Sequence, residues 1–182
     1  SRYGQPAEPT AMVPFDLFQA AILLTFNKYR NDPKVVAFTV AMLIIFYTGC
    51  RTESLFCKTR NGAQNADPRY HMQARDVLLE KDFVALGIKG TKAKQPKGAR
   101  DTVDKRGVHW KYVGYLRNVF CPGWWLPRYH ELVGFTDAAQ FLMWDKDHSN
   151  CLLYADFNNW LSSHFRECRP DAPASVLESF GA

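Results

Sequence analysis

The residues of this chain best equipped for chemistry are its cations. Between Lys81 and Lys111 stand nine Lys or Arg residues (Lys81, Lys89, Lys92, Lys94, Lys97, Arg100, Lys105, Arg106 and Lys111) against three acids, Asp82, Asp101 and Asp104. That excess outweighs the formal charge of +5 carried by all 182 residues, so the positive charge is concentrated in one place. A concentrated basic stretch is the usual footprint of a polyanion partner. Upstream, Arg51 follows Thr48-Gly49-Cys50 at the end of a long apolar run, where the chain must turn. A guanidinium fork holds two phosphate oxygens at once and stays charged at any working pH.

Other groupings carry less. His148, Cys151, His164 and Cys168 have the spacing of a two-loop zinc site, but in a mixed order, and His164 and Cys168 lie on the apolar face of the last helix. A core histidine and a core cysteine are the cheaper explanation, and no metal is expected. Cys50 and Cys57, seven apart, are expected to pack on one helix face. Five cysteines without CxxC spacing and without an N-terminal signal pattern point to reduced thiols in an intracellular protein. Asp145-Lys146-Asp147 is a turn, and no phosphate-cradling glycine loop is present, since Gly87 and Gly90 lack the strand–turn–helix setting it needs.

These residues need a scaffold, and the patterning supplies one. Residues 1–14 form a Pro- and Ala-rich linker or arm. A helix follows Pro14, with Phe15, Phe18, Ile22 and Phe26 on one face. Asp32-Pro33 starts the next helix, roughly 33–47, with Asp32 as N-cap and Pro33 at the first helical position. It is apolar all round and therefore central. Its run Val35–Tyr47 is too short to span a bilayer. A short helix is expected over Arg51–Lys58, then a polar loop over 59–73. Strands are expected at Asp76–Leu79, Phe83–Ile88 and Asp101–Val103, the last two joined by the lysine-rich turn 89–100. Helices are expected near 109–119, 137–143 and 155–168, with a Trp/Pro loop at 121–128 laid over the core by Trp124 and Trp125. The fold class is thus α+β, mostly α, with a small three-stranded antiparallel sheet.

The order of these pieces resembles the catalytic domain of the tyrosine recombinases, the phage-integrase family. Thr48-Gly49-Cys50-Arg51 matches the Thr-Gly-x-Arg turn that follows a core helix, and Ile88-Lys89-Gly90-Thr91-Lys92-Ala93-Lys94 matches the hairpin that carries a lysine. The resemblance runs in order through residues 15–182. It implies DNA strand cleavage and rejoining through a 3′-phosphotyrosine intermediate, with no cofactor, on double-stranded DNA, by a tetramer assembled on paired sites. It places Arg51 on the non-bridging oxygens of the scissile phosphate and Lys92 as the acid that protonates the leaving 5′-oxygen. Lys89 and Lys94 remain alternatives for that lysine. Lys89, Lys94, Lys97 and Arg100 are expected against the DNA backbone, in the nucleus or nucleoid and in the service of a mobile element.

The chain also departs from the family. An acid commonly stands three residues after the arginine; here Ser54 does, with Glu53 one residue early. None of the five histidines has an arginine three residues on, and no tyrosine follows Tyr154. The expectation is a piece of a longer enzyme, with a non-catalytic DNA-binding or scaffolding relative as the alternative and an RNA-binding basic domain as a third reading.

Overall fold

The computed structural model describes residues 14–60, 63–64, 66–89, 107–147 and 149–172. The arm at 1–13, the expected strand Asp101–Val103, His148, and Lys92, Lys94, Lys97 and Arg100 lie outside them.

Helix α1 (Phe15–Leu24) follows Pro14 and runs into a π-helical turn at Thr25–Tyr29. Its buried stripe is Leu17, Phe18, Ala21 and Ile22. Phe15 is 59% exposed and lies against Phe18 and Phe46 on the surface, so the core face is rotated from the expected one. Helix α2 (Pro33–Thr48) begins where the breaker predicts: the Asp32 carboxylate accepts from the N–H groups of Lys34 and Val35, and Pro33 opens the first turn. Every residue from Val36 to Ile44 is buried.

A short 3-10 turn over Thr52–Ser54 replaces the expected helix Arg51–Lys58, because Cys57 leaves helical geometry to bridge Leu153 in parallel. Cys50 and Cys57 therefore do not share a helix face. Two small ladders flank this region: β1 (Thr59–Arg60) with β2 (Ala63–Gln64), and, far along the chain, β6 (Trp144–Asp145) with β7 (Asn150–Cys151).

The main sheet is an antiparallel meander of β3 (Val77–Leu79), β4 (Phe83–Ile88) and β5 (His109–Gly114). Residues 109–114 form a strand and not a helix. His-Trp-Lys-Tyr-Val alternates from face to face, and all six residues of β5 pair with β4. Val77, Val84, Leu86, Ile88 and Val113 face the core, while Leu78, Phe83 and Tyr112 are exposed on the other side.

Helix α3 (Pro122–Val133) occupies the expected Trp/Pro loop. Pro122 opens it, Gly134 closes it in the left-handed region, and Trp125, Leu126, Tyr129 and Val133 are buried. Pro127 is carried inside. At Gly123 the helix meets the sheet so closely that a Cβ would lie 2.7 Å from Tyr115 and 2.8 Å from Val84. Residues 137–143 form a turn, whose Gln140 side chain accepts from the N–H groups of Thr136 and Asp137, before Phe141 bridges Gln73. Helix α4 (Tyr154–Cys168) closes the core with Phe157, Leu161 and Phe165. Among the described residues no helix is long and apolar enough to cross a membrane.

Candidate functional site

The site is built from the stop of α2. The Thr48 hydroxyl donates to the Ile44 carbonyl (2.7 Å) and accepts from the Cys50 N–H (3.2 Å). Gly49 adopts φ +64°, and its N–H donates to the Ile45 carbonyl at 2.9 Å. A side chain is strained at such a φ, so glycine makes the sharp exit possible. Arg51 follows in extended backbone (φ −75°, ψ 148°) with its side chain exposed. Its guanidinium makes no hydrogen bond or ion pair with any described residue.

Arg51 lines an open cavity of about 590 Å³ with Ile45, Gly49, Cys50, Thr52, Glu53, Lys58 and Tyr154. The Glu53 carboxylate accepts a short hydrogen bond from Lys58 Nζ. That bond, reinforced by the lysine's charge and to a lesser degree by that of Arg51, holds the Glu53 carboxyl below the usual carboxylate range, and the Glu53 bond raises the Lys58 ammonium above the usual lysine range. Lys58 Nζ also sits 5.6 Å from the ring centroid of Tyr154. Burial pushes the Cys50 thiol up, which keeps it protonated and unreactive.

Lys89 has a different fate from the expected one. It is 6% exposed, and its Nζ lies 2.6 Å from Asp76 Oδ2 and 2.7 Å from Gln73 Oε1, and it donates to the carbonyl of Pro68 at 3.0 Å. The ammonium is turned inward and does not offer itself to a DNA backbone. The register explains it: Val77 pairs with Leu86, which places Asp76 opposite Gly87 on the face that Lys89 shares. Gly87 has no side chain there, and a Cβ would approach Asp76 Cβ to 3.2 Å, so Asp76 can lie close beneath Lys89.

Ile88 and His109, which stand before and after the stretch carrying Lys92, Lys94, Lys97 and Arg100 in the sequence, pair at one end of this ladder. One loop touches both the arginine turn and Lys89: Met72 N–H donates to the Ser54 carbonyl (2.8 Å), and Lys89 donates to the Pro68 carbonyl and Gln73 Oε1. His71, 7% exposed in that loop, has its Nδ1 2.9 Å from the Asp67 backbone nitrogen and 3.0 Å from the Asp67 carbonyl oxygen.

Of the zinc-like spacing, the described Cys151, His164 and Cys168 are not gathered. His164 Nε2 is 2.9 Å from the Ala21 carbonyl and 3.1 Å from Thr25 Oγ1, whose hydroxyl is 2.8 Å from that of Thr39. The histidine is a core residue packed on Trp160. No group of three metal-ligating residues occurs among the described residues, and none of the five cysteines is in a disulfide. Sequence reasoning missed Lys58 and Tyr154 as walls of the arginine cavity, because neither carries a signal until the chain folds. No family model, curated protein or solved structure matches this chain.

Proposed function

We propose that the chain is the arginine-and-lysine part of a tyrosine-recombinase-type active site, acting on double-stranded DNA in strand cleavage and rejoining. The observation that carries the reading is Arg51: a guanidinium that makes no hydrogen bond or ion pair with a described residue, just past the stop of a buried helix, lining an open cavity. In a pentavalent phosphoryl transition state the non-bridging oxygens gain negative charge. A preorganised arginine stabilises that charge more than it stabilises the starting diester. Since Lys89 is engaged by Asp76, proton delivery to the leaving 5′-oxygen is assigned to Lys92. The reading further requires an attacking tyrosine and a second arginine at the same phosphate, and self-association on DNA.

The test is Arg51→Ala in an assembly that supplies a His-x-x-Arg helix and a tyrosine. Covalent trapping on a nicked duplex falls by orders of magnitude, while duplex binding weakens only slightly. Trapping that survives the substitution sinks the catalytic assignment. A second reading, a DNA-binding or scaffolding protein with no chemistry, rests on the basic excess between Lys81 and Lys111, which can hold a duplex without an active site. It predicts duplex binding with no trapping in any assembly.

A further inference from the structure

The Arg51 cavity holds a second cation whose charge is already answered. Among the described residues that line it, Lys58 is the other base and Glu53 the acid. The two are joined across it by their hydrogen-bonded ion pair, and Lys58 is further held over the ring of Tyr154. Both partners are more than half exposed, at 54% and 56%. An ion pair in that setting is weak and exchanges readily for another partner. The Glu53 carboxylate thus occupies Lys58 much as a phosphate oxygen would, and it also feels the charge of the Arg51 guanidinium, which makes no hydrogen bond or ion pair with a described residue.

We infer that Lys58 is a second phosphate ligand of the Arg51 cavity and that Glu53 is its internal competitor. Resting on the DNA reading above, the inference names the ligand as one phosphodiester of a duplex. When the diester enters, Arg51 takes two of its oxygens, Lys58 swings from Glu53 to the same phosphate, and Glu53 turns out to solvent. The Tyr154 ring keeps the ammonium over the cavity during the exchange, since a cation is attracted to the face of an aromatic ring. The competition has a functional sense. A stray anion bound by Arg51 alone does not repay the loss of the Glu53 interaction. A diester already positioned by the rest of the basic surface does.

The experiment is fluorescence anisotropy of a short labelled duplex across a range of salt concentrations, with wild type, Arg51→Gln, Lys58→Gln, Lys58→Arg, Glu53→Gln and the Glu53→Gln/Lys58→Gln double variant. Lys58→Gln is expected to weaken binding and to flatten the slope of log K against log salt by about 0.9, as follows when one phosphate fewer is neutralised. Lys58→Arg restores the slope. Glu53→Gln tightens binding severalfold, and that gain disappears in the Lys58→Gln background. If Glu53→Gln tightens binding equally in both backgrounds, Glu53 acts only by general repulsion and the inference is overturned. It is also overturned if Lys58→Gln leaves the slope unchanged while Arg51→Gln flattens it, in which case the reading of the arginine site stands. If Arg51→Gln itself changes nothing, the reading of the site fails with it.

Discussion

Substituting Asp76 by Asn tests how the hairpin root is held. Asp76 has no measurable exposure and Lys89 only 6%, so the pair lies out of water with Nζ 2.6 Å from Oδ2. The amide keeps the carboxylate's shape and can still accept from the Gln73 N–H, which Asp76 now caps at 2.8 Å. What it removes is the countercharge, leaving an ammonium buried among neutral carbonyls. Breaking a buried pair in this way costs about 3–5 kcal/mol, because the surviving charge remains desolvated. For a domain of this size each kcal/mol moves Tm by about 2–4 °C, so a fall of roughly 6–20 °C is expected. Urea denaturation gives the same quantity as a lowered midpoint at constant m. The double variant Asp76→Asn/Lys89→Met carries no buried charge, and its cost should fall below the sum of the single costs by about 1–3 kcal/mol. A loss under about 1 kcal/mol for Asp76→Asn, the worth of a surface pair, would refute the reasoning. Lys89 would then be an exposed cation, and Lys89→Gln would flatten the salt dependence of DNA binding.

Three further outcomes follow from the same geometry. Burial holds His164 below the ordinary histidine pKa of about 6.5, and His130 likewise, so the unfolded chain takes up protons that the folded one refuses. The stability that depends on these two histidines is therefore complete above about pH 6.5 and declines as pH falls below it; Tm measured against pH should show that decline, and His164→Gln should flatten it. Arg51→Gln should leave the stability from urea denaturation within about 0.5 kcal/mol of wild type, as for an exposed side chain without partners, and a larger loss would mean that the arginine braces the fold. Gly123→Ala should cost about 1–3 kcal/mol through its clash with Tyr115 and Val84, despite alanine's better helix propensity; an unchanged midpoint would show that the two side chains give way.

Local punctuation makes part of this architecture legible. Asp32-Pro33 and Thr48-Gly49 bracket α2 by capping chemistry that needs no tertiary partner, and Arg51 is visible as a candidate because it sits just past that stop. Two of the three sheet strands are marked by alternation and turn residues. In the third, His109–Gly114, the alternation of Trp110, Tyr112 and neighbours is compatible with a strand but short enough to read as helix, and pairing with β4 decides it. In α3 the interior Pro127 and the paired tryptophans imitate a loop, and burial of Trp125 and Tyr129 overrides that signal. Spacing along the chain points Lys89 at DNA, whereas sheet register sets Asp76 beside it. Glu53 and Lys58 would point about 140° apart on a regular helix. They meet because a 3-10 turn and the Cys57–Leu153 bridge replace that helix.

The encasement of α2 also has a kinetic meaning. Amide protons along Val36–Ile44 can exchange with solvent only when the core itself opens, so their protection should approach that of global unfolding. The half-exposed last turn of α2 leads from that segment to Arg51, whereas the Glu53–Lys58 pair joins two exposed side chains that rearrange within nanoseconds. The cavity thus joins two clocks: a backbone turn anchored to a helix that opens only with the core, and an ammonium that resamples its partners many times during a single encounter with an anion.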